Sequence, residues 1–311
     1  MHVLVTGGAG FIGSHLCDRL LELGHRVCVV DNLSTGKREN VPPGAVFYQL
    51  DLRDEALDQV FATEKPQAVF HQAAHANVTE SVRDPEYDAS ANILGSLHLL
   101  ACCVRHEVAR VVYASTGGAL YGEPEYIPAD ESHPIRPLSP YGVSKYTVEH
   151  YLRVYRNLHG LEYVILRYPN VYGPRQDPHG EAGVVAIFSS LLLGGQQPTI
   201  FGDGSKTRDY CYVGDIVEAN ILALNGPDGG VYNLGRGIEV TDLEIFEAVR
   251  EAVGSAITPE FAPVRPGEVR RIALDATKAR AELGWSWKVD LAQGVAETVR
   301  FYRSRMERKA Q

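Results

Sequence analysis

The chain has 311 residues, 45% of them apolar and 22% charged, the profile of a globular protein with room for a sizeable core. A net charge of −9 argues against nucleic acid or an anionic membrane surface as the main partner, so an anionic ligand would need locally placed arginines. Five cysteines (Cys17, Cys28, Cys102, Cys103, Cys211) show no metal-ligand spacing. The longest apolar run, Ala182 to Gly195, falls short of the roughly 20 residues a bilayer span needs. The chain passes directly into a strand pattern, so no secretory leader is expected. A cytoplasmic protein with reduced thiols and no structural metal is the expectation.

In chain order, His2–Thr6 reads as a buried strand, followed by Gly7-Gly8-Ala9-Gly10-Phe11-Ile12-Gly13 and an amphipathic helical stretch ending at Gly24. Glycines at 8, 10 and 13 permit a tight turn, close approach of backbone to a pyrophosphate, and close packing of helix on strand. The phosphates would meet the N–H groups and positive dipole end of that helix. The next strand, Arg26–Val30, ends at Asp31, whose carboxylate suits adenosine ribose hydroxyls and repels a 2′-phosphate, favouring NAD over NADP. A polar loop (Asn32 to Gly44), a strand at Val46–Leu50 ending in Asp51, and a strand at Ala68–Gln72 follow. A helix is predicted over Tyr87–His106, a strand over Arg110–Ser115, a Pro-rich segment from Pro124 to Pro140, a helix over Tyr141–His159 and a strand over Tyr163–Arg167. Repeated β-α units of this kind predict an α/β fold with a doubly wound parallel sheet, the Rossmann arrangement. Beyond Pro169, helices are predicted at Ala182–Leu193, Asp215–Leu224, Thr241–Val253, Ala276–Leu283 and Leu291–Arg308, with a strand at Val231–Leu234 returning to the sheet. The expected organisation is a nucleotide-binding domain over residues 1–169, plus a returning segment near 210–235. Residues 170–209 and 236–311 would form a smaller C-terminal α/β substrate domain.

Tyr141 and Lys145 stand four apart at the start of a predicted helix and so share a face. They follow a strand whose C-terminal end carries Ser115 and Thr116, and such sheets bind ligands at strand C-termini. A tyrosine acting as a base near pH 7 must lose roughly three units from its reference pKa near 10, or about 4 kcal/mol. A neighbouring ammonium together with a cationic nicotinamide could supply that depression.

These residues resemble the extended short-chain dehydrogenase/reductases, and within them the UDP-glucose 4-epimerases. The resemblance spans essentially the whole chain: Gly7 to Gly13, Asp31-Asn32-Leu33-Ser34-Thr35-Gly36, Tyr141-Gly142-Val143-Ser144-Lys145, Asn170-Val171-Tyr172-Gly173-Pro174-Arg175 and Arg208-Asp209-Tyr210. It implies an NAD-retaining 4-epimerase acting on a UDP-sugar through a 4-keto intermediate. Tyr141 would be the base, Lys145 its ammonium partner, and Thr116 a hydrogen-bonding group at the 4-oxygen, with Ser115 the substitute. For the cofactor the resemblance implies Asp31 and Asn32 at the adenosine ribose and Asp51-Leu52 at the adenine. Ala73, Ala74 and His75 would run along the phosphates and nicotinamide. Ser34, Thr35, Gly36, Gln72, Asn92, Ser115, Tyr141, Lys145 and Tyr168 join the turn glycines Gly7, Gly10 and Gly13, with Phe11 and Ile12, as further contacts. Asp51 could equally be a plain turn residue, and His75 a surface residue. For the sugar nucleotide it implies Asn170, Arg208, Arg265 and Glu268, arginine being suited to phosphate by its planar fork. The helices at Tyr87–His106 and Tyr141–His159 resemble those that pair subunits of family homodimers; the alternative is that they only cover the sheet.

One departure from the family pattern matters. Gly117 occupies the position, four residues before Tyr121, where a Ser or Thr is usual. No acid stands at Gly117-Gly118-Ala119, where 4,6-dehydratases carry an Asp-Glu pair and decarboxylases a glutamate, so epimerisation is favoured over both. Ile272 falls where pocket size is set, and leaves open plain hexoses or N-acetylhexosamines.

Overall fold

The computed structural model describes residues 1–178, 183–264 and 269–310. Strands β1 (His2–Thr6), β2 (Arg26–Asp31), β3 (Val46–Gln49), β4 (Ala68–His71), β5 (Arg110–Thr116) and β6 (Glu162–Tyr168) come first. Short strands follow at β7 (Asn170–Tyr172), β8 (Thr199–Phe201), β9 (Thr207–Arg208), β10 (Tyr210–Tyr212), β11 (Gly230–Asn233), β12 (Val240–Thr241) and β13 (Glu260–Ala262). Seven of these form one parallel sheet in the order β11-β6-β5-β4-β1-β2-β3. β1 and β4 are buried along their whole length, as strands covered by helices on both faces must be. The direction of winding reverses between β1 and β4, and the crevice beyond their carboxyl ends is where ligands enter such sheets.

The helices are α1 (Phe11–Glu22), α2 (Ala56–Glu64), α3 (Val78–Arg83), α4 (Pro85–Ala89), α5 (Gly95–Arg105), α6 (Pro140–His159), α7 (Val184–Leu193), α8 (Val213–Ala223), α9 (Asp242–Val253), α10 (Thr277–Leu283) and α11 (Leu291–Ala310). α6 begins where it does because Ser139 caps it, accepting the Gly142 N–H at 3.2 Å, and Pro140 fits the first turn. It ends at Gly160, which adopts φ 71°. The helix expected over Tyr87–His106 is interrupted: a turn of π-helix, Ser90–Leu94, joins α4 to α5. Such single turns cluster at functional sites.

One core lies under α1 and α8 on one face of the sheet, and a second under α2, α5 and α6 on the other. A third joins α7, α9 and α11 through Phe188, Phe246, Val295 and their neighbours, beside the small sheets β7–β10, β9–β12 and β8–β13. Ala276, Ala279, Leu283 and Trp285, from α10 and its flanks, pack into the first core.

Candidate active site

The loop after β1 is a steric cradle. A Cβ on Gly13 would lie 2.2 Å from the Gly7 carbonyl oxygen, and one on Gly7, at φ 68°, would lie 2.7 Å from the Ala73 nitrogen. Only hydrogen fits at either place, so α1 starts hard against β1 and the loops leaving β1 and β4 run side by side. Gly10 caps α1 without a side chain, and the first turn carries no acid, which leaves its N–H groups and positive dipole end to an outside anion. Asp31 accepts the Ala9 N–H at 3.0 Å and the Leu33 N–H at 2.8 Å, one on each oxygen. Each oxygen keeps a lone pair for ribose hydroxyls. Burial raises its pKa against those two hydrogen bonds. Gly36 leaves the carboxylate open, since a Cβ there would stand 2.9 Å from both oxygens. Asn32 turns to Asp51, its amide donating at 2.9 Å, while Arg53 holds the same carboxylate at 2.8 and 2.9 Å and depresses its pKa. The Ser34 N–H closes a turn onto Asn32, and Leu52 is a core residue whose carbonyl bonds His98. These residues fit a dinucleotide.

The loop after β4 is held by a directed chain of hydrogen bonds. Ala73 N–H donates to Thr6 Oγ1 at 3.1 Å, and Thr6 Oγ1 meets His71 Nδ1 at 2.8 Å. His71 Nε2 meets Ser96 Oγ at 2.8 Å, and Ser96 donates to the Asn92 carbonyl at 2.5 Å. Each hydroxyl has one proton, so the chain is consistent only with His71 protonated on Nε2 and accepting on Nδ1. Burial pushes the His71 pKa down to about 3, with the Lys145 charge adding to it, which keeps this tautomer neutral. Asn92, in the π turn, accepts the His75 N–H at 2.8 Å and donates to the His75 carbonyl at 3.0 Å. Its amide therefore shapes the loop Ala73-Ala74-His75 that would line the cofactor. Gln72 and Tyr168 bond one another and Asn220, a residue of α8 with no motif to mark it.

Tyr141 and Lys145 come together on the first turns of α6, beside the end of β5. The Thr116 hydroxyl lies beside the Tyr141 phenol and favours its ionised form. Ser115, one residue earlier, points to the opposite face of the strand and donates to buried Glu149 at 2.5 Å. Glu149 is itself clamped by Arg167 at 3.0 and 2.6 Å. That hydrogen bond commits Ser115 to the Glu149–Arg167 pair. The Lys145 ammonium sits over the Tyr113 ring, 4.5 Å from its centre. Burial pulls its pKa down to about 7, while Glu149 and Asp88 pull it up. The expected depression of Tyr141 is not supplied by the chain itself: burial, then the Asp88 charge, raise its pKa, and the Thr116 hydrogen bond only partly offsets them. Lowering it requires an added positive charge nearby.

On the substrate side, Asn170 opens β7, and its amide oxygen borders the empty side of Gly118, 3.5 Å from where a Cβ would stand. The Gly117 departure has a steric reason: a Cβ there would lie 2.3 Å from the Leu274 side chain. Arg208 on β9 donates to the Thr207 carbonyl at 2.7 Å and is only partly buried. Asp209 between it and Tyr210 is part of a motif that carries the resemblance, but nothing in the sequence assigns it a role. It is buried, accepts the N–H groups of Arg236, Gly237 and Leu274 at 3.0, 3.0 and 3.1 Å, and its pKa is pushed up to about 6 by burial. Ile272, expected to set pocket size, is instead buried among Tyr121, Ala129, Val269 and Leu274. Arg265 and Glu268 lie outside the described residues.

A doubly wound sheet with a dinucleotide cradle at its switch point, and a tyrosine–lysine pair at the neighbouring strand end, defines a nicotinamide-dependent enzyme of the extended short-chain dehydrogenase/reductase class. Residues 3–235 match the model of the NAD dependent epimerase/dehydratase family, and the chain belongs to that family. It is 47% identical over 314 residues to the UDP-glucose 4-epimerase of Mycolicibacterium smegmatis, covering 99% of this chain and 100% of that protein. Among solved structures it resembles the UDP-glucose 4-epimerase of Thermotoga maritima with UDP-glucose, at 48% identity and a TM-score of 0.97, over 98% of this chain and 100% of the other. The Thermus thermophilus UDP-glucose 4-epimerase in complex with NAD is 51% identical with a TM-score of 0.94, over 97% and 99% of the two chains.

Proposed function

We propose that the protein is an NAD-dependent UDP-sugar 4-epimerase, interconverting UDP-glucose and UDP-galactose. The observation that carries this reading is Tyr141, with Thr116 beside its phenol and buried Lys145 one helical turn on, next to Gly117-Gly118-Ala119, where no acid is available for dehydration or decarboxylation. Bound NAD supplies a reversible hydride store. Tyr141 takes the proton of the sugar 4-hydroxyl as C4 is oxidised, and returns it to the same oxygen when C4 is reduced on its other face. Thr116 steadies the phenolate with its hydroxyl, and Lys145 keeps a positive charge beside the reacting groups. Asp31, Asn32 and the Gly7–Gly13 turn hold the dinucleotide, while Asn170 and Arg208 hold the sugar nucleotide with Arg265 and Glu268. Proton and hydride both return to the sugar, so no reductant is consumed.

Four residues of α6, Val143, Tyr151, Val154 and Leu158, recur at helical spacing and stay exposed, and Leu94 is exposed on the adjoining π turn. This apolar stripe supports a homodimer paired through α6 and the α4–α5 helix. Five buried free thiols fit a reducing, cytoplasmic setting; no helix among the described residues is long and apolar enough to cross a membrane.

The test is incubation of the purified protein, without added NAD, with UDP-galactose and separately with UDP-N-acetylgalactosamine. UDP-glucose should appear from the first. Faster conversion of the second would move the substrate to N-acetylhexosamines, as for the UDP-N-acetylglucosamine 4-epimerase of Methanobrevibacter ruminantium, 36% identical to this chain. No conversion of either, with nucleotide bound, would overturn the reading.

A further inference from the structure

Asp88 lies on α4, outside every motif, and none of its surface reaches solvent. Its two oxygens are each taken by a donor: Asn92 Nδ2 at 2.9 Å and Ser144 Oγ at 2.6 Å. Both carboxylate oxygens thus serve as hydrogen-bond acceptors. The two donors belong to the two halves of the site. Ser144 is the neighbour of Lys145 on α6, and Asn92 grips both backbone groups of His75. His75 Nδ1 faces the same carboxylate at 3.7 Å and has no hydrogen-bond partner. A buried carboxylate with no arginine or lysine directly upon it is costly unless hydrogen bonds and nearby positive charge compensate it.

Resting on the epimerase reading, we propose that Asp88 is a positioning residue for the reaction. Its carboxylate ties α6 to the loop after β4 and places a fixed negative charge behind the Tyr141–Lys145 pair, which governs where the pair keeps its proton.

The charge acts in one direction on both members. It opposes the Tyr141 phenolate, making that base stronger, and it favours the Lys145 ammonium against the burial that would strip its proton. The other groups facing this region are Glu149 on α6, paired with Arg167, Tyr113 on β5, and His75 in the loop. On α3, Glu80 and Arg83 are spent on each other at 2.6 Å. Tyr87, on the same helix as Asp88, stacks edge-on against His75. Glu149 also favours the Lys145 ammonium, more strongly than Asp88, but of the two only Asp88 also opposes the Tyr141 phenolate, so it is the charge that both members of the pair share.

The test is Asp88→Asn in the full chain with its bound nucleotide, read in two ways. In the pH profile of kcat/KM, both limbs should slide to lower pH by roughly one unit, because a like charge has left the phenolate and an opposite charge has left the ammonium. The ultraviolet absorbance of the Tyr141 phenolate, obtained by subtracting the matching Tyr141→Phe protein, should show its midpoint falling in the same direction. Ser144→Ala breaks the tie but keeps the charge, so it should lower the rate with both limbs in place. An Asp88→Asn protein whose rate falls while limbs and midpoint stay put would overturn the proposal. If that variant fails to fold, Asp88→Ala makes the same two predictions. The absorbance needs no turnover: a wild-type protein that makes no epimer defeats the epimerase reading, whereas an unmoved midpoint defeats the role of Asp88.

Discussion

Ser115 and Thr116 are adjacent hydroxyls at the end of one strand, and strand geometry sends them to opposite faces. Thr116 reaches the Tyr141 phenol, while Ser115 closes the Glu149–Arg167 pair. Their removal should therefore have different consequences. Thr116→Val should cost roughly 2 kcal/mol of transition-state stabilisation, about thirtyfold in kcat, since hydrogen bonds to charged groups are the strong ones. Ser115→Ala should leave kcat nearly unchanged and cost about 1 kcal/mol of stability in urea unfolding. Tyr141→Phe should lower kcat by roughly 10²- to 10⁴-fold while bound nucleotide is retained. Lys145 also predicts a pH dependence. Its pKa is lowered in the folded state to about 7 from 10.5. Between those values the unfolded chain holds a proton the folded site has shed, so the folded state gains stability as pH rises through the window and carries the full burial cost below about 7. In the nucleotide-free protein, Lys145→Met should thus be more stable than wild type at pH 6.5, by on the order of 2 kcal/mol, and lose that advantage by about pH 10. An equal difference at both pH values would contradict it.

At the scale of elements, the β1–turn–α1 unit was readable because its constraints are local: the glycines and the uncapped first turn act within a few residues of one another, and Asp31 ends the very next strand. Gly13→Ala should force its new methyl into the Gly7 carbonyl, costing about 1–3 kcal/mol and releasing nucleotide during purification. Melting temperature and the nucleotide recovered after denaturation would check both effects. The starts of α6 and α9 were placed to within one residue by their helical pattern, while the caps that set them, Ser139 on α6 and the reciprocal Thr241–Glu244 pair at 3.1 and 2.7 Å on α9, are findings of the structure. The π turn at Ser90–Leu94 was not. It lies where Asp88, Asn92 and Ser96 must all face inward, to α6, to the loop after β4 and to His71. Those three partners lie on other parts of the chain, so no window over this helix contains the reason. Strands β7, β9, β10 and β12 escaped for a similar reason, being two or three residues long and defined only by their partners.

Across the whole molecule, the apolar stripe on α6 makes its own prediction. On the proposed homodimer, replacing Val154 and Leu158 by Glu should give a monomer by light scattering with the fold retained; a wild-type monomer would mean that these helices only cover the sheet. The amino-acid sequence by itself determined the doubly wound architecture, the nucleotide turn with its ribose acid and the Tyr141–Lys145 spacing, because each is encoded by neighbours or by a helical or strand period. The tertiary structure alone decided which hydroxyl lies beside Tyr141, that a side chain at Gly117 would meet Leu274, and which partners Asp88, Glu149, Asp209 and Asn220 take. Asp88 meets Ser144 across 56 residues, Ser115 meets Glu149 across 34, and Asp209 meets Leu274 across 65. Buried polar groups take whichever partner the packed sheet brings within reach, and that partner is set by the order of the strands rather than by distance along the chain.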